Sequence, residues 1–575
     1  MKNWFKLMIL AVVFISSRSF AEEKPNILFI IGDDLGVDAI EGFNIGERHP
    51  TTPNLDKLRE SGITFTNVWA TPVCAASRAS LLTGKYGLNN GVPSVPGILS
   101  TEHKSIFKEI DEQSNGEYVN CLIGKWHLAK NNNYNHPFEH DVDEYMGVLG
   151  AGVKDYYKWY KYEDGQTDTC YTYASQYFTN HAIDWIKDQQ KPWFMWMAHV
   201  SPHTPLHVPP EGTFSVKNTD INKRKYKAMI ESMDYEIGRL LDSIPADVLE
   251  NTIIIFLGDN GTPANLLSDF PDNRGKQTVY QGGINVPLII SGNGITRQNE
   301  IEDALINVSD FYITFSQIVN PDAFPSDSVF DSYSFKHLLD GSIGANRAYN
   351  YMGMGANSNV PNDLYTVRNQ QYKLIDLGNG TLEFYDLEAD TFELSNLWNV
   401  ELSVEQENAK NELLSLMTSI RGEEPYIKEP DTVTSPVGIA GKYPIVHTSV
   451  SNFHSTNSEI ETPETTDVLY WQDAGRITNS PSYTDNGDGT ITDMVTGLMW
   501  EKDMGEKITW SEAVEKVKNL NVGGYEDWRI PTIKELYSLI LFTGRVMGSE
   551  AVTEFIDTDY FIQPFGDESI GERSI

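Results

Sequence analysis

Two stretches of the chain are apolar without interruption and bounded by glycine and acids: residues 26–31 (NILFII) and 252–257 (TIIIFL). A strand with one wet face alternates apolar and polar residues. An unbroken run predicts a strand buried on both faces, as in a parallel sheet covered by helices. Helix signals lie between the two runs. Thr52-Pro53 opens a segment that carries Leu55 and Leu58 and closes at Gly62, with proline at the start and glycine at the end. Cys74 leads an alanine-rich segment, 75–83, of good helix propensity that stops at Gly84. This alternation predicts an α/β domain on a doubly wound sheet.

From about Ala348 the texture changes to short aromatic and aliphatic runs with turns, Tyr372-Lys373-Leu374-Ile375 and residues 382–387 (LEFYDL). They predict a small antiparallel subdomain, followed by a helix over Val404–Ile420. Residues 421–466 are rich in Pro, Ser, Thr and Glu and lack periodicity, so they read as a linker. From Asp467 a separate module is expected, with a hairpin turn at Asn486-Gly487. An EF-hand reading of its Asp485-Asn486-Gly487-Asp488-Gly489-Thr490 run fails: aligning Gly489 with the loop glycine puts Thr484 first and Val495 last. The chain ends at Ile575 without an evident final strand, as a truncated module would. The expected division is 1–21, 22–345, 346–420, 421–466 and 467–575.

The 575 residues exceed what one hydrophobic core usually serves, in keeping with several domains. The first of them read as a secretory signal: Lys2 and Lys6, an apolar run over 7–15, then Ser19-Phe20-Ala21 before Glu22, with cleavage expected after Ala21. A membrane anchor needs roughly 20 apolar residues, which this run does not provide, so the expected location is periplasmic or secreted, with no transmembrane segment. The formal charge is −37, and losing Lys2, Lys6 and Arg18 makes it −40. Such acidity excludes nucleic acid as a partner, because phosphate binding needs a basic face. It also means that a polyanionic substrate must meet a local basic pocket. Three cysteines, Cys74, Cys121 and Cys170, are too few for a disulfide scaffold. Cys121 and Cys170 are either a pair or two buried thiols.

Both predicted parallel strands end alike, in Gly32-Asp33-Asp34 and Gly258-Asp259-Asn260. Sites in open α/β sheets lie beyond the carboxyl ends of strands, so these four side chains are expected to converge. Four hard oxygen donors suit Ca²⁺ or Mg²⁺ better than zinc. Cys74 stands at a predicted helix N-terminus, where backbone N–H groups stabilise an oxyanion. Arg78, at i+4, shares its face and is expected to neutralise charge there or grip a tetrahedral oxyanion. Taken singly, each feature has a plainer reading: a turn for either Gly-Asp pair, a buried apolar residue for Cys74. Their coincidence carries the functional reading.

The segment Cys74-Ala75-Ala76-Ser77-Arg78-Ala79-Ser80-Leu81-Leu82-Thr83-Gly84 resembles the signature of formylglycine-dependent sulfatases, in the alkaline phosphatase superfamily. Further matches follow in order: Asp33-Asp34, Gly124-Lys125-Trp126-His127, Pro202-His203-Thr204-Pro205, Gly258-Asp259-Asn260-Gly261, Gly275-Lys276 and Gly282-Gly283-Ile284-Asn285-Val286-Pro287. Several specific motifs in one order over residues 24–420 make chance a poor explanation. The resemblance implies an alkaline-phosphatase-like fold, with a mixed, mainly parallel sheet flanked by helices. It implies a sulfuric ester hydrolase whose nucleophile is a formylglycine made from Cys74, with one Ca²⁺ held by Asp33, Asp34, position 74, Asp259 and Asn260. Lys125 and His127 would then sit against position 74, and His203 and Lys276 against the sulfate ester. Of the nearby His199, His203 and His207, the Pro-His-Thr-Pro match selects His203.

The expected partners are a sulfated glycan and a formylglycine-generating maturase. The family pattern has proline two residues after the cysteine, whereas this chain has Ala76. The resemblance implies that the oxygen-dependent maturase prefers the proline form and that the radical-type anaerobic maturase also accepts alanine. Two alternatives stay open: a phosphatase or phosphonate hydrolase on the same scaffold, which would use Thr or Ser and two metals, and a non-catalytic glycan-binding protein if Cys74 is not converted. In the last module, Gly497-Leu498-Met499-Trp500 and Trp528-Arg529-Ile530-Pro531-Thr532 resemble a domain shared with Legionella collagen-like adhesins. That resemblance implies an α+β, C-type-lectin-like fold, and loosely a glycan ligand.

Overall fold

In the computed structural model the two unbroken apolar runs are neighbours at the centre of one sheet. Asn26–Gly32 pairs in parallel with Thr252–Gly258 on one side and Trp193–Ala198 on the other. The structure describes residues 24–421 except 44, 47–48, 131–132, 164, 324–330 and 343; beyond 421 it describes the pairs 453–454 and 459–460, most of 481–541, and 556–562. The expected signal segment and most of the expected linker lie outside the described residues.

The ten strands lie in the order Glu300–Glu302, Gly62–Phe65, Leu288–Gly292, Thr252–Gly258, Asn26–Gly32, Trp193–Ala198, Val119–Lys125, Glu144–Val148, Trp159–Glu163, Gln166–Cys170. The five from Thr252–Gly258 to Glu144–Val148 run parallel, and antiparallel strands extend both sides. All seven residues of Asn26–Gly32 are buried, and the two-residue period of a strand sends them to two cores. Ile27, Phe29 and Ile31 join one with Ala75 and Ala79 of the helix Cys74–Thr83 and Phe311 of Asp310–Val319. Leu28 and Ile30 join the other with Phe178 of Ala174–Asp188 and Met229 of Asn222–Ser243. Helices on both faces explain why the central strands carry no polar alternation.

Helix Cys74–Thr83 ends as its sequence predicts, with Gly84 left-handed at φ 68°. The earlier helix differs. It spans Pro53–Glu60 and is capped by Ser61, while Gly62 opens the next strand. A Cβ on Gly62 would lie 2.1 Å from the Ile290 carbonyl oxygen, so this glycine serves close strand approach rather than helix termination.

The strands Asn350–Met354, Leu364–Arg368, Tyr372–Asp376 and Leu382–Asp386 form a separate antiparallel sheet. Helix Val404–Ile420 covers it through Ala409, Leu413 and Met417, and a capping box at Ser403 and Gln406 starts that helix. The chain divides into two compact units, Met1–Lys428 and Glu429–Ile575. The second contains an antiparallel sheet, Tyr483–Asp485, Thr490–Asp493 and Met499–Glu501, and a helix at Trp510–Val517. Its first two strands are joined through Asn486-Gly487, with Gly487 at φ 75°. Cys121 and Cys170 are free and buried, so of the two readings the structure has two thiols. Among the described residues no helix is long and apolar enough to cross a membrane.

Candidate active site

Gly32 and Gly258 are in register on adjacent parallel strands, so the acids that follow them leave the sheet side by side. The Asp34 N–H donates to Asp259 Oδ1 at 3.1 Å, and Asn260 Nδ2 donates to Asp34 Oδ1 at 2.9 Å. Asp34 is in the left-handed region, at φ 67°. Tyr226 Oη holds it there by donating to its carbonyl at 2.6 Å.

Cys74 is the first residue of its helix, and its Sγ lies 3.2 Å from His127 Nδ1. His127 follows the strand Val119–Lys125 and is also left-handed, at φ 63°. Such conformations persist where surrounding structure over-determines them, and they cluster at functional sites. Lys125 Nζ donates to Asp33 Oδ2 at 2.6 Å, with both side chains fully buried. Lys276 donates to Asp34 Oδ1, and His203 Nε2 stands 3.9 Å from Asp34 Oδ2.

Arg78 has a structural use beyond the one expected of it. Charge on Cys74 contributes to raising its pKa, yet its hydrogen bonds go elsewhere: Nη1 to the Lys125 carbonyl and Nη2 to Asp259 Oδ2, each at 2.8 Å. The i+4 relation brings Arg78 near position 74. Its two terminal nitrogens join the helix to two strand ends, while Nε is buried without a partner.

Burial and opposing charge decide how these groups ionise. Burial pushes the Asp34 carboxyl up, but Lys276, His203 and Lys125 outweigh it and hold it below the usual range. Burial and the neighbouring Asp33 push Asp259 up against the pull of Arg78. Burial would lower Lys276, and Asp34 more than compensates. Burial, then Lys125 and Arg78, press His127 well below an ordinary histidine. The Cys74 thiol is pushed up by burial and brought down further by Lys125 and Lys276.

The donor set fits a hard divalent cation. Asp33 Oδ1 and Asn260 Oδ1 are buried acceptors without a hydrogen-bond partner, a condition that buried polar groups rarely tolerate. Asp33, Cys74 and Asp259 each offer a ligand atom within 4.8 Å of the others, as do Asp33, Asp34 and His203. Three carboxylates and an amide oxygen suit a hard cation better than softer metals.

All ten expected residues are thus joined through direct contacts or shared carboxylates. His199 lies fully buried with both ring nitrogens unpartnered. His207 stacks on Tyr156, with centroids 4.1 Å apart, and meets Tyr173 Oη at 3.0 Å. Four supporting side chains, Tyr156, Tyr226, Lys373 and Glu393, carry no sequence signal of their role. Tyr156 Oη donates to the His203 carbonyl at 2.7 Å, and Tyr226 holds Asp34. Glu393 accepts from the Gln281 N–H at 2.7 Å and from Lys373 at 2.6 Å, while Lys373 also donates to the Val279 carbonyl at 2.8 Å. This pair anchors the segment that presents Lys276. Single tyrosines among 28 carry no local signal.

Three family models match the chain: Sulfatase over residues 25–320, N-sulphoglucosamine sulphohydrolase C-terminal over 273–421, and Lcl C-terminal domain over 489–567. The N-acetylgalactosamine-6-sulfatase of Canis lupus familiaris is 27% identical over 395 residues, covering 61% of this chain and 73% of the relative. Arylsulfatase J of Mus musculus is 28% identical over 319 residues, 51% of this chain and 52% of the relative. Among solved structures, Ps i-CgsB in complex with k-i-k-neocarrahexaose superimposes with a TM-score of 0.60 at 23% identity, covering 70% of this chain and 92% of that one. A protein in complex with its substrate D-glucosamine-2-N,6-O-disulfate gives 0.58 at 21% identity, covering 71% and 100%. The likeness to these solved structures is one of fold. The Sulfatase model spans more than half of the chain and contains all ten site residues, its companion model overlaps it at Lys276, and the chain belongs to the sulfatase family of sulfuric ester hydrolases.

Proposed function

We propose that this sulfatase hydrolyses sulfate esters of sulfated carbohydrates, using a formylglycine made from Cys74 and one Ca²⁺ held by Asp33, Asp34, position 74, Asp259 and Asn260. The observation that carries this reading is the meeting of buried Arg78, Lys125 and Lys276 with the unpartnered oxygens of Asp33 and Asn260 around the first residue of one helix. A sulfuryl group gathers negative charge on its oxygens during transfer, and fixed cations in a dry site stabilise it.

When bound, the cation would supply Lewis-acid polarisation, and the hydrated aldehyde a hydroxyl able to attack sulfur. The remaining work falls to the chain's own residues. His127 Nδ1 lies 3.2 Å from the side-chain atom of position 74. Its depressed pKa keeps it neutral near pH 7, so it is a proton acceptor at that atom. Lys276 and His203 both approach Asp34, where either can protonate the departing alcohol. Lys125 and Arg78 orient Asp33 and Asp259. Cysteine at position 74, where a two-metal phosphatase would use Thr or Ser, favours the sulfatase reading.

The carbohydrate class is supported by the relatives: N-acetylgalactosamine-6-sulfatases in sequence, and proteins complexed with neocarrahexaose and a disulfated glucosamine in fold. The basic and apolar N-terminal residues support export to the periplasm or beyond, and Ala76 a maturase that accepts alanine at that position. Mass spectrometry of the tryptic peptide spanning position 74, from a maturase-competent host, should show conversion of the thiol. Sulfate release should follow from members of a panel of desalted algal and animal glycans. An unmodified thiol with no release from any glycan or aryl ester overturns the proposal.

A further inference from the structure

A chain of formal charge −37 must present its cations locally where a polyanion docks. It does so beside His203. Residues 152–158 are fastened to the loop that carries this histidine: Tyr156 Oη donates to the His203 carbonyl at 2.7 Å, and Tyr157 Oη to the Val208 carbonyl at 2.8 Å. A Cβ on Gly152 would lie 3.4 Å from His203 Nδ1, so the segment reaches the rim of the site. It leads into the hairpin Trp159–Glu163 and Gln166–Cys170. Beyond that hairpin the Tyr171 ring returns to within 5.8 Å of Lys158 Nζ, inside cation–π range.

Three of the aromatic rings here are in solvent. Tyr157, Tyr160 and Tyr171 are 41%, 76% and 71% exposed. Lys154 and Lys158 are exposed as well, and among the described residues neither has a carboxylate partner. Exposed apolar surface gathered on one segment and the hairpin it leads into is a mark of interaction sites. No Leu, Ile, Val, Met or Phe is exposed between residues 151 and 171 among the described residues, so the patch lacks the aliphatic centre that a protein partner would use. A sulfated sugar matches it better. The C–H face of a pyranose is apolar and lies flat on an aromatic ring, its hydroxyls stay in water, and its sulfate meets an ammonium group.

We propose that Lys154, Tyr157, Lys158 and Tyr171 form a second sugar subsite, which receives the neighbouring sulfated residue of an oligosaccharide whose target ester lies between His203 and position 74. This rests on the sulfated-carbohydrate reading above and adds where the chain of sugars runs. Tyr160 extends the platform along the hairpin, away from the reacting bond.

Two measurements test the subsite. The first compares kcat/KM on hexasaccharides prepared from carrageenan and from chondroitin sulfate with kcat/KM on 4-nitrocatechol sulfate, an ester too small to reach the platform. The double variant Tyr171→Ala, Lys158→Gln should lower the ratio for the preferred hexasaccharide by about tenfold, through its KM. Lys158→Gln alone should flatten the rise of that KM with ionic strength, because an exposed ion pair is screened by salt. An unchanged ratio, or an equal loss on both esters, overturns the proposal. The second is equilibrium binding of the same hexasaccharides to the Cys74→Ser protein, which does not depend on turnover. About tenfold weaker binding in the double variant is expected, and equal binding, or none to either protein, overturns the subsite. Absence of turnover on every ester, with binding still sensitive to these residues, would sink the hydrolytic reading and leave the subsite standing.

Discussion

Arg78 Nη2 meets Asp259 Oδ2 at 2.8 Å across 181 residues of sequence, and neither side chain touches solvent. The same guanidinium donates to the Lys125 carbonyl, so one side chain ties the Cys74 helix to the ends of two strands. Its charge opposes the burial that pushes the Asp259 carboxyl up. Position 74 and the carboxylate set are therefore held together by a buried ion pair.

Removing that guanidinium leaves Asp259 buried without its counter-charge. Arg78→Ala should lower stability by about 3–5 kcal/mol in urea unfolding and abolish ester hydrolysis. Arg78→Lys keeps the charge but loses the planar fork that serves two acceptors, and should fall between. A loss below about 1 kcal/mol in Arg78→Ala, the range of an exposed pair, would refute the structural role.

Calcium should stabilise the folded protein by mass action, by about 2.7 kcal/mol at a concentration one hundred times its Kd. Thermal unfolding in EGTA against a Ca²⁺ titration reads this directly. Asn260→Ala, which removes one unpartnered acceptor, and Asp33→Asn, which removes a carboxylate's charge, should each shift the titration to higher Ca²⁺. Mg²⁺ should substitute poorly, since it demands strict octahedral geometry and keeps its water. A midpoint indifferent to Ca²⁺ counts against the assigned donor set.

Lys373 and Glu393 are fully buried and paired at 2.6 Å, with the Lys373 ammonium 5.1 Å from the Trp69 ring centroid. Glu393→Ala strands that charge and should cost about 3–5 kcal/mol. The double variant Lys373→Met, Glu393→Gln removes both charges and keeps an acceptor for the Gln281 N–H, so it should regain most of the loss. Because the pair anchors the Lys276 segment, Glu393→Ala should also lower kcat on small aryl sulfates in the fraction that remains folded. Normal kcat in that fraction would show that Lys276 is positioned without the pair.

Asp234 accepts hydrogen bonds from the N–H groups of Leu55 and Asn54 at 2.8 and 3.2 Å. Burial nonetheless pushes its carboxyl up to about 6. A carboxyl with a folded pKa above its unfolded value binds its proton more tightly in the folded state. Its contribution therefore favours folding below about pH 4 and is lost as pH rises through about 6. The difference across that window is on the order of 3 kcal/mol. Asp234→Asn removes the titration, so its stability relative to the unsubstituted chain should improve between pH 4 and pH 7. A constant difference over that range would show that the carboxyl titrates normally.

Local pattern made much of the site readable. Asp33, Asp34, Asp259 and Asn260 each follow an unbroken apolar run, and a strand buried on both faces has to end where the sheet meets solvent or a ligand. Cys74 was readable as a helix start because Gly84 marks the stop and alanines fill the interval. For Arg78 the place was readable but the ion pair was not, since helical spacing gives proximity to position 74 and says nothing of Asp259 beyond a distant strand. Gly62 misled for a related reason: its need for close approach to Ile290 comes from a strand more than 200 residues away. Tyr156, Tyr226 and Glu393 act through single long-range hydrogen bonds that leave no periodic trace.

The sequence by itself determined the α/β class, the antiparallel subdomain and the helix that starts at Cys74, and it named ten residues that folding brings near one another. Hydrophobic period, turn chemistry and ordered motifs are properties of neighbours along the chain, and short windows contain them. Only the tertiary structure decided which cation pairs with which carboxylate, which acceptors are left unpartnered, and which tyrosines stay in solvent beside His203. Those outcomes depend on desolvation and on charges brought within a few ångströms by folding, and neither quantity exists until the strands are side by side.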